Sequence, residues 1–355
     1  MAYTDIDDPS AHFQTAIWTG DGNNNRAITN DGNSDLQPDF IWLKDRNVGF
    51  GHRLTDSTRG ITKNLASETT GAEGTSTTQY ASWNTDGFTL IYGGQQVPNY
   101  NGHTYVAWQW KANGGTTANN TDGATTSTVQ ANTDAGFSIV TYTGTGSATT
   151  LGHGLGVAPA MLIVKNRTTA VDWAVYHKDL TDAGYVLTLN STDSQADSGT
   201  NRWNHTDPTS SVFSVGSGQQ TNQNTNSMIC YAFAEKQGYS KFGKYVGNGN
   251  ASGPFVYTGF KPAFVMVKCA TAAASEWQIY DHKRPGYNFP NYNLSPNNTT
   301  AEYTGESYHN MDILSNGFKA LLTDVAVNKA GETYTYMAFA EHPFVTSTGI
   351  PTTAR

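Results

Sequence analysis

Charge is scarce in this chain. Asp, Glu, Lys and Arg make up 14% of its 355 residues, against roughly a quarter in an average globular protein. The balance is acidic, with a net charge of −8 and no stretch that concentrates Lys or Arg. Affinity for a phosphate backbone comes from such residues, so nucleic acid is not an expected partner. The same lack excludes a basic amphipathic helix lying on a membrane. No apolar run approaches the roughly 20 residues that span a bilayer, so membrane insertion is not expected. The opening MAYTDIDDPS has neither a basic nor an apolar segment, which reads as a chain made in the cytoplasm without a secretory signal. There are two cysteines, Cys230 and Cys269. They fall at unrelated places in the pattern described below and are expected to be separate small core residues rather than a disulfide.

What is abundant is Gly, Asn, Thr and Ser between short apolar segments, with aromatics at 12%. That mixture suits many short strands joined by turns. One strand pattern occurs three times: Pro38-Asp-Phe-Ile-Trp-Leu-Lys44, Pro159-Ala-Met-Leu-Ile-Val-Lys165 and Pro262-Ala-Phe-Val-Met-Val-Lys268. Proline is tolerated at the first residue of a strand. A near-continuous apolar run this short fits a strand buried on both faces. The lysine is expected to lay its stem on the apolar surface and put its charge in water.

Other landmarks recur in the same order. An aromatic followed by Gly-x-Gly opens each copy, at Trp18, Tyr142 and Tyr245, lying 20, 17 and 17 residues before the proline. A large aromatic follows the lysine, read as Phe50, Trp173 and Trp277, and then apolar segments run from Gly60 to Leu65, Gly184 to Leu189 and Gly286 to Leu294. A phenylalanine (Phe88, Phe213, Phe318) comes 50, 54 and 56 residues after the proline. A closing strand ends each copy, aligned here on Ala107-Trp108, Ala232-Phe233 and Ala338-Phe339, 19, 19 and 20 residues further on. These spacings predict three tandem copies of one all-β unit, each an antiparallel β-sandwich or jelly roll. The expected layout is an N-terminal arm (1–12), a first repeat (13–111), a flexible linker (112–134), a second repeat (135–239), a third (240–345) and a tail (346–355).

None of these landmarks points to catalysis. Truncating a buried Trp or Phe costs about 3–5 kcal/mol, so folding alone accounts for the recurring aromatics; sugar-stacking platforms are the alternative. Glu235 and Glu341 occupy equivalent places, with Trp110 read as the first-copy counterpart. No repeated second carboxylate supplies the pair that glycoside hydrolysis needs, and a charge that discourages edge pairing is the expected role. His177 and His282 read as strand-end residues, and no His or Cys grouping has zinc spacing. Asp21-Gly-Asn-Asn-Asn25 and Asp31-Gly-Asn-Ser-Asp35 offer clustered oxygens that suit either calcium or tight turns. The reading is therefore of a non-enzymatic protein with no cofactor, no catalytic residue, no metal ligand and no assigned binding residue.

The first copy carries a resemblance in Trp18-Thr-Gly-Asp-Gly, Pro38-Asp-Phe-Ile-Trp-Leu-Lys44-Asp-Arg, Asp56-Ser-Thr-Arg59-Gly60, Asp86-Gly87-Phe88-Thr-Leu and Tyr105-Val-Ala-Trp108-Gln-Trp110-Lys111. It resembles a repeat domain of unknown function found in virion proteins of tailed, especially marine, bacteriophages. The second and third copies match more loosely and lack Asp-x-x-Arg-Gly intact. The resemblance implies a structural component of a virion, in the tail fibre or receptor-binding apparatus. Its implied partners are other virion subunits, further copies of itself (a trimer among the options) and host cell-surface glycan. Capsid-decorating or head-fibre proteins, carbohydrate-binding modules and a polysaccharide depolymerase are the alternatives.

Overall fold

The computed structural model describes residues 4–92, 98–284, 288, 292–305 and 310–352; Gly286 falls outside them. The described chain is all-β, with antiparallel sheets and one short α-helical turn at Gln219–Asn222. Twelve strands form its frame. They are β1 (Phe13–Thr19), β2 (Phe40–Asp45), β3 (Arg53–Asp56), β4 (Thr104–Trp110), β5 (Phe137–Thr143), β6 (Met161–Asn166), β7 (Ala174–His177), β8 (Ser227–Phe233), β9 (Ser240–Val246), β10 (Phe260–Cys269), β11 (Gln278–Asp281) and β12 (Thr333–Pro343).

The Pro…Lys strands are β2, β6 and β10, and each pairs with a closing strand on one side and the following short strand on the other. The resulting orders are β1-β4-β2-β3, β5-β8-β6-β7 and β9-β12-β10-β11. Three sheets thus share one strand order. Smaller sheets lie beside them: Arg26–Ile28, Phe88–Leu90 and Tyr80–Trp83; Thr149–Gly152 with Val212–Val215; and Ser252–Tyr257, Gly317–Leu321 and Met311–Leu314.

Alternation explains why the apolar runs are continuous. Within β2, Phe40 and Trp42 point one way while Ile41 and Leu43 point the other, and all are buried. The outer set packs beneath the small sheet with Phe88 and Leu90, and the middle and last sheets repeat this with Phe213 and Phe318. The inner sets of all three sheets enter one shared core, which includes Phe40, Trp42, Met161, Ile163, Phe264 and Met266. At its centre Trp110, Phe233 and Phe339 touch pairwise, with ring centroids 6.2, 5.6 and 6.0 Å apart. These three rings are equivalent by strand register, each opposite the residue two after the repeated proline.

Two expectations are corrected by that register and two by the elements around it. The closing strands align on Trp110, Phe233 and Phe339, so Trp108 corresponds to Tyr231 and Met337, two residues from the sequence alignment. Ala112, not Trp110, is the counterpart of Glu235 and Glu341. The stretch 112–134 contains strands Ala118–Asn120 and Ser127–Asn132, which extend the middle sheet beyond β5. Its Val129 is buried and its Gln130 is fully so. The arm is also docked: Thr4 and Ile6 are buried, and Asp5 N donates to Gln237 O at 3.0 Å.

Candidate functional site

The Gly-x-Gly turns are built alike in all three places. A Cβ on Gly20, Gly144 or Gly247 would come within 2.0, 2.1 or 2.2 Å of the carbonyl oxygen of Tyr100, Gln223 or Lys329. The second glycines, Gly22, Gly146 and Gly249, hold φ of 72°, 71° and 64°, which glycine adopts at little cost. The residue that organises each turn was not singled out in the sequence. It is a fully buried asparagine, Asn99, Asn222 or Asn328. Its Oδ1 accepts from Asp21 N (3.2 Å), Thr145 N (2.8 Å) or Asn248 N (2.9 Å). The preceding carbonyl accepts from Trp18 Nε1, Tyr142 OH or Tyr245 OH. The recurring aromatic therefore has a polar duty as well as an apolar one. Weak local sequence around these asparagines hides them; their constant distance before the closing strand is the signal that reveals them.

The three lysines of the Pro…Lys strands are fully buried rather than solvated. Lys165 Nζ donates to Thr70 O at 2.8 Å and to Val171 O; Lys268 Nζ donates to Thr192 O at 3.1 Å and Ser275 O at 2.5 Å. Lys44 donates to Asp45 O at 2.7 Å and Val48 O at 3.1 Å. Thr70 and Thr192 lie in loops that follow β3 and β7, and these loops cover Lys165 and Lys268 where water was expected. Burial pushes all three ammonium groups down to about 8.

Contacts between neighbouring sheets follow one scheme. Trp173 Nε1 donates to Ala66 O, Trp277 Nε1 to Thr188 O, and His52 Nε2 bonds Ser295 O, at 3.0, 3.0 and 3.1 Å. His52, not Phe50, is thus the counterpart of the two tryptophans. Its Nδ1 accepts from Trp42 Nε1 at 3.0 Å, which leaves Nε2–H to donate. Backbone bonds repeat in the same sense, from Glu73 N to Arg167 O, Gln195 N to Ala270 O and Glu302 N to Arg46 O.

Side chains at these joints vary together. Between the first and middle sheets, Arg59 Nε meets Asp56 Oδ2 at 2.5 Å and Tyr231 OH donates to the same oxygen at 2.8 Å. Glu73 then bridges Arg59 and Arg167. Between the last and first sheets, Arg284 Nε meets Asp281 Oδ2 at 2.6 Å and Trp108 Nε1 donates to it at 2.9 Å. Glu302 bridges Arg284 and Arg46. The segment Asp281-His-Lys-Arg284 is therefore a second Asp-x-x-Arg, hidden in the sequence by the proline after Arg284. At the middle–last joint the corresponding residues are His177, Leu180, Gln195 and Ala270, facing Met337. His177 Nε2 donates instead to Tyr336 O at 3.1 Å.

Burial opposes the charge on Asp281 and Arg284, but their pairing outweighs it, lowering the carboxyl and raising the guanidinium. Burial pushes His177 down to about 4. These groups hold sheets together.

The other flagged residues are in ordinary service. Glu235 pairs with Lys178 (2.9 Å) and Lys241 (2.6 Å), and Glu341 with Lys261 (2.7 Å). Cys230 and Cys269 are buried and free. Asp21 Oδ1 accepts from Asn23 N and Asn99 Nδ2, both bonds internal to its turn. Asp31 pairs with Lys283.

A model of one family, described as a domain of unknown function (DUF7483), matches residues 8–343. The chain belongs to that family. No curated protein and no solved structure matches it. The single family model spans all three sheets and the joints between them.

Proposed function

We propose that the chain is three tandem copies of one antiparallel β-sandwich or jelly-roll unit, closed cyclically on themselves, and that it serves as a non-enzymatic structural protein of a phage virion. The tail fibre or receptor-binding apparatus is the assigned place. One observation carries the reading: three sheets of one strand order direct equivalent rings into a shared centre, with ion pairs buried at two of the three joints. Such a body resists deformation and presents loops from a rigid frame. The virion assignment draws on the resemblance to repeat domains of phage particles. Other virion subunits are the proposed partners, together with copies of this chain. The exposed Val246, Phe255 and Tyr257 at the outer strands of the last sheets suit such self-association.

The test is localisation. Mass spectrometry of purified particles, with antibody labelling in electron micrographs, is expected to find the protein on the tail. Labelling of the head would move it to a capsid-decorating or head-fibre role. Absence from particles would end the virion reading.

A further inference from the structure

We infer that the cleft between the first and last sheets is a binding site for one uncharged sugar residue. It forms where strand β1 meets the ends of β10, β11 and β12, lined in part by Phe13, Gln14, Thr15, Asn33, His282 and Glu341, with a volume of about 180 Å³. At roughly 30 Å³ per water in the liquid, that is space for about six waters, the scale of a single hexose.

The internal repetition supplies the control. By strand register Thr15 occupies the place of Ile139 and Phe242, both of which fill the shared core. In the equivalent corners of the other joints the polar side chains are already engaged. Asp39 gathers the N–H groups of Ala112, Gly114 and Gly115 in one, and Glu235 is clamped by Lys178 and Lys241 in the other. At this corner a large apolar side chain is replaced by a small polar one. Thr15 is 3% exposed, and its Oγ1 has no hydrogen-bond partner among the described residues. A buried hydroxyl left unpaired is costly for stability, and a ligand hydroxyl in the adjoining cleft would satisfy it.

The class of ligand follows from the rim. Its full charges are already matched, Asp31 by Lys283 and Glu341 by Lys261, both at 2.7 Å. A charged ligand therefore gains little net attraction. What remains is hydrogen-bonding capacity on Thr15, Asn33, His282 and Glu341 over an apolar floor that includes Phe13, Ala263 and Ala340, which suits a neutral polyhydroxylated ring. The inference uses the host-contact part of the proposed function only to name a glycan as the source of the sugar.

The experiment titrates the purified full chain with glucose, galactose, N-acetylglucosamine and glycerol, followed by ligand-observed NMR and calorimetry. Thr15→Ile, which restores the side chain type of the other copies, and Thr15→Val, which removes only the hydroxyl, are run alongside. The expected result is saturable binding of at least one hexose, weakened tenfold or more by each folded variant, with melting temperatures equal to or above that of the parent. Thr15→Val carries the test should Thr15→Ile fail to fold. Binding of glycerol with equal affinity would show a general polyol site and overturn the sugar assignment. No binding of any sugar, or binding untouched by the variants, would overturn the site itself. Particle localisation is unaffected by any of these outcomes, so the two proposals fail separately.

Discussion

Trp108 and Asp281, from the first and last sheets, share a hydrogen bond of 2.9 Å from indole Nε1 to carboxylate Oδ2, and both are fully buried. Tyr231 and Asp56 repeat the arrangement at 2.8 Å between the first and middle sheets. At the third joint Met337 has no donor to offer, and the facing aspartate and arginine are absent, replaced by His177 and Leu180. Donor, acid and base are present together or missing together.

Removing one member of such a set leaves its partner buried and unpaired, at a cost of about 3–5 kcal/mol. Asp281→Ala and Arg284→Leu are each expected to destabilise the protein by that amount in urea unfolding. The combined replacement Asp281→His, Arg284→Leu and Trp108→Met, which copies the middle–last joint, is expected to cost less than the sum of its parts. Additive losses would show the residues to be independent.

The buried lysines give a pH signature. Lys44, Lys165 and Lys268 titrate at about 8 in the folded protein, and at about 10.4 when unfolded. Between those values the unfolded chain binds more protons, so stability rises with pH. The expected gain is roughly 1–2 kcal/mol per lysine between pH 8 and 10. Above about 10 the trend reverses, because burial raises tyrosines such as Tyr142, Tyr245 and Tyr280, which then ionise first in the unfolded chain. Unfolding measured from pH 7 to 10 checks the rise, and Lys165→Met with Lys268→Met is expected to flatten most of it.

The turn glycines make a steric prediction. Alanine at Gly20, Gly144 or Gly247 drives its Cβ into a backbone carbonyl at 2.0–2.2 Å, which forces a backbone shift costing about 1–3 kcal/mol. Gly114→Ala, where a Cβ meets nothing within 4 Å but φ is 60°, is expected to cost about 1–2 kcal/mol, from the left-handed conformation alone. Melting temperatures of the four variants separate close approach from φ strain.

Much of the frame was legible in the sequence because its rules are local. Proline before an apolar run, Gly-x-Gly after an aromatic and Asp-Gly or Asn-Gly before a phenylalanine each mark a strand boundary. The errors share a cause. The two-residue slip in the first closing strand preserved alternation, so Trp108 and Trp110 went to the correct face while their partners were misassigned. Lys165 and Lys268 read as solvated because nothing local announces that the loops after β3 and β7 will cover them, and Lys44 because nothing announces that its own chain folds back over it at Val48. His52 does not stand out in the sequence beside Phe50 because a histidine does not resemble a tryptophan, though both present an N–H to the same carbonyl position. The arginine–glutamate bridge from Arg59 through Glu73 to Arg167 joins residues that only the packing of the first sheet against the middle one brings together.

Calorimetry tests the shared centre most directly. If Trp110, Phe233 and Phe339 bind the three sheets into one body, heating produces a single transition. Its van't Hoff enthalpy then equals the calorimetric value, about 250 kcal/mol for this length near 60 °C. Three separable transitions, or a van't Hoff enthalpy near a third of that figure, would mean that the sheets melt independently and that the common core does not hold them together.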